Sequence, residues 1–134
     1  MTITEIKQYK YMTTIPFTEI KKGMIVVEQD IPYREGNSIS YFCRVEDCYL
    51  SEEYLTGFDI GWTLDLSALS SKGEKLFDWE IECHFEYEED AVIEIYFKNR
   101  EDASEFGIDP NILEIANYDQ FFVGDYEDAD EVTC

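Results

Sequence analysis

The chain has 134 residues, 45% hydrophobic and 16% aromatic, with 31 acids against 10 bases and a formal net charge of −21. That length supports one hydrophobic core, and that apolar content argues against disorder as the default state. The charge argues against nucleic acid and anionic membrane as direct ligands, since both are polyanions, and points instead to a basic protein or to metal cations.

In chain order, "MTITEIKQYKYM" reads as a short helix or an irregular arm. It lacks the uninterrupted apolar run of a signal peptide, and no later segment has the length of a membrane span. Ile15–Pro16 is expected to be extended, because the residue before proline avoids the α region. "TEIKKG" reads as one helical turn closed by Gly23. Residues 24–31, "MIVVEQDI", are apolar and β-branched, hence a strand. "PYREGN" follows as a turn and "SISYFCRV" alternates as a second strand, which makes residues 24–45 a hairpin. "EDCYLSEEYLTG" is ambiguous, with a short helix ending at Gly57 as one reading. Residues 58–66, "FDIGWTLDL", alternate again, and "SALSSKGEK" reads as a loop.

The densest charge lies further on. Residues 76–134 carry 19 acids and only two bases, Lys98 and Arg100, whereas residues 1–75 carry 12 acids and 8 bases. "DWEIECHFEYEEDAVIEIYF", residues 78–97, alternates strictly. Trp79, Ile81, Cys83, Phe85 and Tyr87 fall on one face and Glu80, Glu82, His84 and Glu86 on the other. Ile93, Ile95 and Phe97 continue the apolar set. Read as a hairpin over 79–97 with a three-residue loop at 88–90, the strands place Phe85 opposite Ile93, Cys83 opposite Ile95 and Ile81 opposite Phe97. The polar face then sets His84 against Glu94, Glu82 against Tyr96 and Glu80 against Lys98.

"NREDASEFG" reads as a short helix stopped at Gly107. Asp109 and Pro110 are the N-cap and first position of a further helix over 110–118. From about residue 125 the chain reads as an acidic tail. The expected whole is a single α+β domain over 1–134: a mainly antiparallel sheet of about five strands, with hairpins 24–45 and 79–97 and short helices.

Catalytic and metal signatures are weak. There is one histidine, and it sits on the strand face opposite its neighbour Cys83. Cys43, Cys48, Cys83 and Cys134 lack the short paired spacing of a zinc site, and their pattern suits free thiols in the cytoplasm. "DYEDADEVTC" lacks the glycine and the twelfth position of a calcium loop. Neither a metal nor any other cofactor is expected. Carboxylates at i, i+2 on a strand lie about 6–7 Å apart, which touches glycosidase geometry, and leaves a small carboxylate-based hydrolase as the weakest alternative.

A binding surface accounts for more of the pattern: aromatic residues supply anchors and charge supplies steering. The expected partner-binding residues are Glu80, Glu82, His84, Glu86, Glu94 and Tyr96 on the strand face, and Asp125, Glu127, Asp128, Asp130 and Glu131 in the tail. With the acidic strand face and the tail "GDYEDADE", the chain resembles, in general character, the small acidic immunity proteins of bacterial toxin–immunity systems, including contact-dependent growth inhibition. That resemblance implies a non-enzymatic protein that holds a cognate basic toxin domain, a nuclease, in a tight complex. A phage-encoded nucleic-acid mimic that inhibits a host defence nuclease is the alternative. The plainer alternative is that the acids only keep a domain in solution.

Overall fold

The computed structural model describes residues 9–33, 37–53, 60–70 and 72–116. Within them the chain forms seven strands: β1 (Tyr11–Pro16), β2 (Ile25–Tyr33), β3 (Asn37–Glu53), β4 (Ile60–Leu69), β5 (Lys75–Phe85), β6 (Val92–Phe97) and β7 (Glu114–Ile115). Among the described residues one six-residue α-helix, α1 (Arg100–Glu105), follows β6. All strand pairings are antiparallel, and the sheet order is β5-β4-β3-β2-β6-β1-β7.

β2 to β5 are a plain meander, and the expected hairpin over 24–45 is its first unit, with Val26 opposite Cys43. β3 runs on to Glu53, so residues 46–53 of the segment open to a helical reading are strand, and residues 54–57 lie outside the described residues. Of the segment expected as a short helix or arm, residues 1–8 lie outside the described residues, and Tyr11 and Met12 open β1, in which Thr13 and Ile15 are buried, as is Phe17 just after it.

The hairpin expected over 79–97 does not form. β5 pairs with β4 along its length, with Leu64 opposite Ile81, Trp62 opposite Cys83 and Ile60 opposite Phe85. β6 inserts between β1 and β2, with Ile93 opposite Ile15 and Ile95 opposite Thr13. The turn at 88–90 exists as a 3-10 turn, but it carries the chain from one sheet edge to a strand near the other. Curling makes this possible. In a flat sheet β5 and β1 would lie about 24 Å apart, at roughly 4.8 Å per strand. Phe17, immediately after β1, nevertheless has its ring centroid 5.3 Å from that of Phe85 on β5. The sheet therefore bends back on itself, as partly closed barrels do.

The concave inner face holds the main core. Met24, Val26, Tyr41, Cys43, Val45, Leu64, Leu66, Ala68, Ile95 and Phe97 are buried there. On β5 the expected faces hold, with Trp79, Ile81, Cys83 and Phe85 inward and half-buried. A second cluster covers part of the outer face: Tyr9, Phe42 and Tyr96, with Phe42 and Tyr96 edge to face at 5.7 Å.

Helix α1 is held at both ends. The Asn99 side chain accepts from the Asp102 amide. At its C-terminus Gly107 takes φ +80°, the Gly107 and Ile108 amides donate to Ser104 and Ala103 oxygens, and Lys21 Nζ donates to the Phe106 carbonyl. A left-handed residue there favours glycine. The helix expected over 110–118 is instead a 3-10 turn, Pro110–Ile112, followed by β7. Asp109 caps it as expected, accepting from the Asn111 amide. The turn stops because the chain is drawn into pairing with β1, where Ile115 faces Tyr11 and the Ala116 amide donates to the Lys10 carbonyl. Residues 117 and 118, and the acidic tail from about 125, lie outside the described residues.

Candidate functional site: an acidic face on three strands

The outer sheet face divides at Arg44. Over β2, β6 and β1 the Tyr9–Phe42–Tyr96 cluster covers it, with Glu94 exposed beside Tyr96; over β3, β4 and β5 it is acidic. Strand period two produces this split, because residues opposite one another in a ladder share a face. Asp47 lies opposite Asp65, and Asp65 opposite Glu80. Tyr49 lies opposite Thr63, and Thr63 opposite Glu82. Arg44 lies opposite Ser67, and Ser67 opposite Asp78, while His84 faces only Gly61.

A register shift between Val45 and Asp47 inserts Glu46 as an extra residue. Bulges re-aim side chains, and Glu46 Oε2 accepts from Arg44 Nε at 2.7 Å and from Ser67 Oγ at 2.8 Å. These two donors, Arg44 first, hold the Glu46 carboxyl below the usual range. Glu80 is shifted the opposite way: its hydrogen bond with the Asp65 carboxyl, and then the like charge, hold it above that range. Lys75 pairs with Asp78, and His84 Nε2 lies 2.9 Å from Glu82 Oε1. Six carboxylates on three adjacent strands thus meet Arg44, Lys75 and the single histidine. Glu46, Asp65, Asp78 and Glu80, with Leu66 and Trp79, line a shallow cavity of about 400 Å³. The Trp79 side chain itself points inward to the core, where its indole Nε1 is buried without a hydrogen-bond partner among the described residues.

Glu80, Glu82, His84 and Glu86 are exposed together along β5 and just past its end, as expected. Two expected members are not with them. Glu94 is on β6, four strand spacings from β5, and accepts from the Tyr96 hydroxyl at 3.1 Å. Tyr96 is 4% exposed and belongs to the Tyr9–Phe42 cluster; burial, first, and Glu94 push its hydroxyl pKa up. Lys98 lies over the Tyr9 ring, 5.5 Å from its centroid, rather than opposite Glu80. Asp125, Glu127, Asp128, Asp130 and Glu131 lie outside the described residues. Sequence reasoning missed Glu46, Asp47, Asp65 and Asp78. The alternation of "FDIGWTLDL" put Asp65 on a polar face, and pairing 58–66 with 78–85 would have found it.

The chemistry available is mainly electrostatic. Cys43 is buried and its thiol is pushed up to about 12; Cys48 is pushed up to about 11, both chiefly by desolvation. Such thiols stay protonated and are poor nucleophiles. Cys43, Cys48 and Cys83 are free. Among the described residues no group of three or more His, Cys, Asp or Glu is placed to hold a metal ion, and no helix is long and apolar enough to cross a membrane.

The two shifted carboxyls give opposite pH dependences. Glu80, raised in the folded state, contributes stability at low pH that is lost as pH rises through its folded value. Glu46, lowered, contributes stability above the ordinary glutamate pKa of about 4.3 that is lost as pH falls through its folded value. Glu80→Gln is therefore expected to raise the melting temperature at pH 7 and to abolish the part of the gain on acidification that Glu80 supplies. Ser67→Ala should shrink the loss seen on acidifying below about pH 4. Melting curves from pH 3 to 8 check both; a Glu80→Gln protein less stable than the parent at pH 7 contradicts the Asp65–Glu80 repulsion.

Comparison with known protein families, with curated proteins and with solved structures returns no match.

Proposed function

We propose that the protein binds a basic protein through the outer face of β3, β4 and β5, and that it is an immunity or inhibitor protein, without enzymatic activity, that neutralises a toxin domain with nuclease chemistry in the cytoplasm. One observation carries this reading: Glu46, Asp47, Asp65, Asp78, Glu80 and Glu82 are gathered from three strands onto one rigid, contiguous face. A solubility device has no need to concentrate like charge, and the Asp65–Glu80 juxtaposition works against folding, since like charges directly opposite one another destabilise a sheet. A cationic groove that grips phosphates would relieve that repulsion on docking. The acids also guard the β5 edge against pairing with a second copy of itself.

The test is to sequence the genes on either side, and to co-express the protein with any basic effector domain they encode, with growth and complex formation as readouts. Rescue by the parent, and its loss in Asp65→Asn/Glu80→Gln/Glu82→Gln with the fold intact, supports the reading. Full rescue by that variant overturns it. A nucleic-acid mimic differs in breadth: it would inhibit unrelated phosphate-binding nucleases in competition with DNA. Purified protein is expected to show only background rates on esters, glycosides and nucleotides; turnover lost in Glu80→Gln would make the Asp65–Glu80 pair a hydrolase site.

A further inference from the structure

A second cavity, of about 270 Å³, opens at the seam where the curled sheet brings its two ends together. Phe17, Trp62, Ala91 and Val92 give it an apolar lining, with Pro16 and Thr18 beside them and Glu88 and Glu89 at its edge. It is separate from the acidic face: Trp62 lies on the inner side of β4, opposite Cys83. The rings of Phe17 and Trp62 stack at 5.9 Å with a 30° interplanar angle, and Phe85 packs on the other contact of Phe17 at 5.3 Å. Phe17 is almost wholly buried, Trp62 is partly buried, and Val92 and the nearby Tyr87 are exposed.

The edge of the cavity is fixed. The Ala91 and Asp90 amides donate to the Glu88 and Tyr87 carbonyls, which closes the 3-10 turn that carries the two glutamates. The Phe17 amide donates to the Ala91 carbonyl at 3.0 Å and ties that turn to the end of β1. A cavity with an aromatic lining, two carboxylates at its mouth and a preset shape has the chemistry of a cation receptor: the indole face attracts a cation, an apolar lip takes its aliphatic stem, and the carboxylates take its charge.

We propose that this cavity receives one arginine side chain of the basic partner and acts as the anchor of the interface, while the acidic face steers. The proposal rests on the reading of the protein as the binder of a basic partner. Arginine fits better than lysine because its planar, weakly hydrated guanidinium stacks on an aromatic face and its fork of donors can serve both glutamates. Buried arginine anchors set in aromatic pockets are a common form of interface hot spot.

The experiment uses the full chain and three capped tripeptides, Gly-Arg-Gly, Gly-Lys-Gly and Gly-citrulline-Gly, followed by the indole N–H resonances of Trp62 and Trp79 at low salt. The expected result is a saturable shift at Trp62 with the arginine peptide, several-fold weaker affinity for lysine, no saturation with citrulline, and Trp79 unmoved. Glu88→Gln/Glu89→Gln should weaken arginine binding by roughly tenfold, as two exposed ion pairs allow. Trp62→Leu, which removes the reporter, should abolish the saturable heat of arginine-peptide binding in titration calorimetry with melting preserved to within a few degrees. Equal response to citrulline, or shifts confined to the β3–β5 face, would overturn the assignment. Arginine occupancy of the cavity with a partner complex indifferent to Asp65, Glu80 and Glu82 would leave this site standing and remove the acidic-face reading; the reverse pattern removes the pocket alone.

Discussion

Leu64→Ala is expected to cost about 2–5 kcal/mol of stability, the range for a fully buried leucine truncated in a core that relaxes only partly. Leu64 is 0% exposed, sits on β4 between Cys48 and Ile81, and belongs to the cluster that draws on β1 through β6. Domains of this kind hold about 5–15 kcal/mol in total, so the variant should lose a large share of its stability and melt well below the parent. Thr63 and Glu82, its neighbours on the opposite face, offer the contrast: Glu82→Gln should leave stability nearly unchanged, as surface substitutions do. Tyr96→Ala belongs with Leu64→Ala, because Tyr96 fills the Tyr9–Phe42 cluster rather than a partner surface. Urea titration reads the effect as a lower midpoint at unchanged slope. A cost under 1 kcal/mol for Leu64→Ala would mean that β3, β4 and β5 do not share one core with the rest of the sheet.

Neutralising Asp65, Asp78, Glu80 and Glu82 together is expected to slow association with the basic partner by roughly one to two orders of magnitude at low salt, within the 10–10³-fold that steering supplies. The parent's on-rate should fall steeply between about 20 and 200 mM salt, as the Debye length shrinks through about 10 Å, while the variant's changes little. Dissociation should change less, since exposed charges act mainly on encounter; substitutions in the Trp62 cavity should act chiefly on complex lifetime. Stopped-flow kinetics across a salt series separates the two. A salt-independent on-rate for the parent would reduce the acidic face to a solvated surface.

By itself the sequence determined where β2, β4, β5 and β6 run and which of their side chains share a face. The alternation of "DWEIECHF" placed Glu80, Glu82 and His84 outward and Trp79, Ile81 and Cys83 inward, because a pleated strand has period two whatever lies beside it. The hairpin over 24–45, the extended Ile15–Pro16, the stop at Gly107 and the cap at Asp109 were legible too, since turn and cap chemistry is local. What the tertiary structure alone decided is which strands are neighbours. Ladder hydrogen bonds join backbone groups that every residue carries, so the apolar rows of β5 fit β4 as well as they fit β6. The short connection at 86–91 resembles a hairpin loop, yet the curl of the sheet lets it reach from β5 to β6. That one decision buried Tyr96, moved Glu94 away, and brought Asp65, Asp47 and Glu46 beside Glu80. The 3-10 turn at 110–112 and the strand at Tyr11–Pro16 followed for the same reason: unpaired backbone in β1, β6 and β7 is satisfied only by long-range partners, and that satisfaction outweighs weak local helix preference.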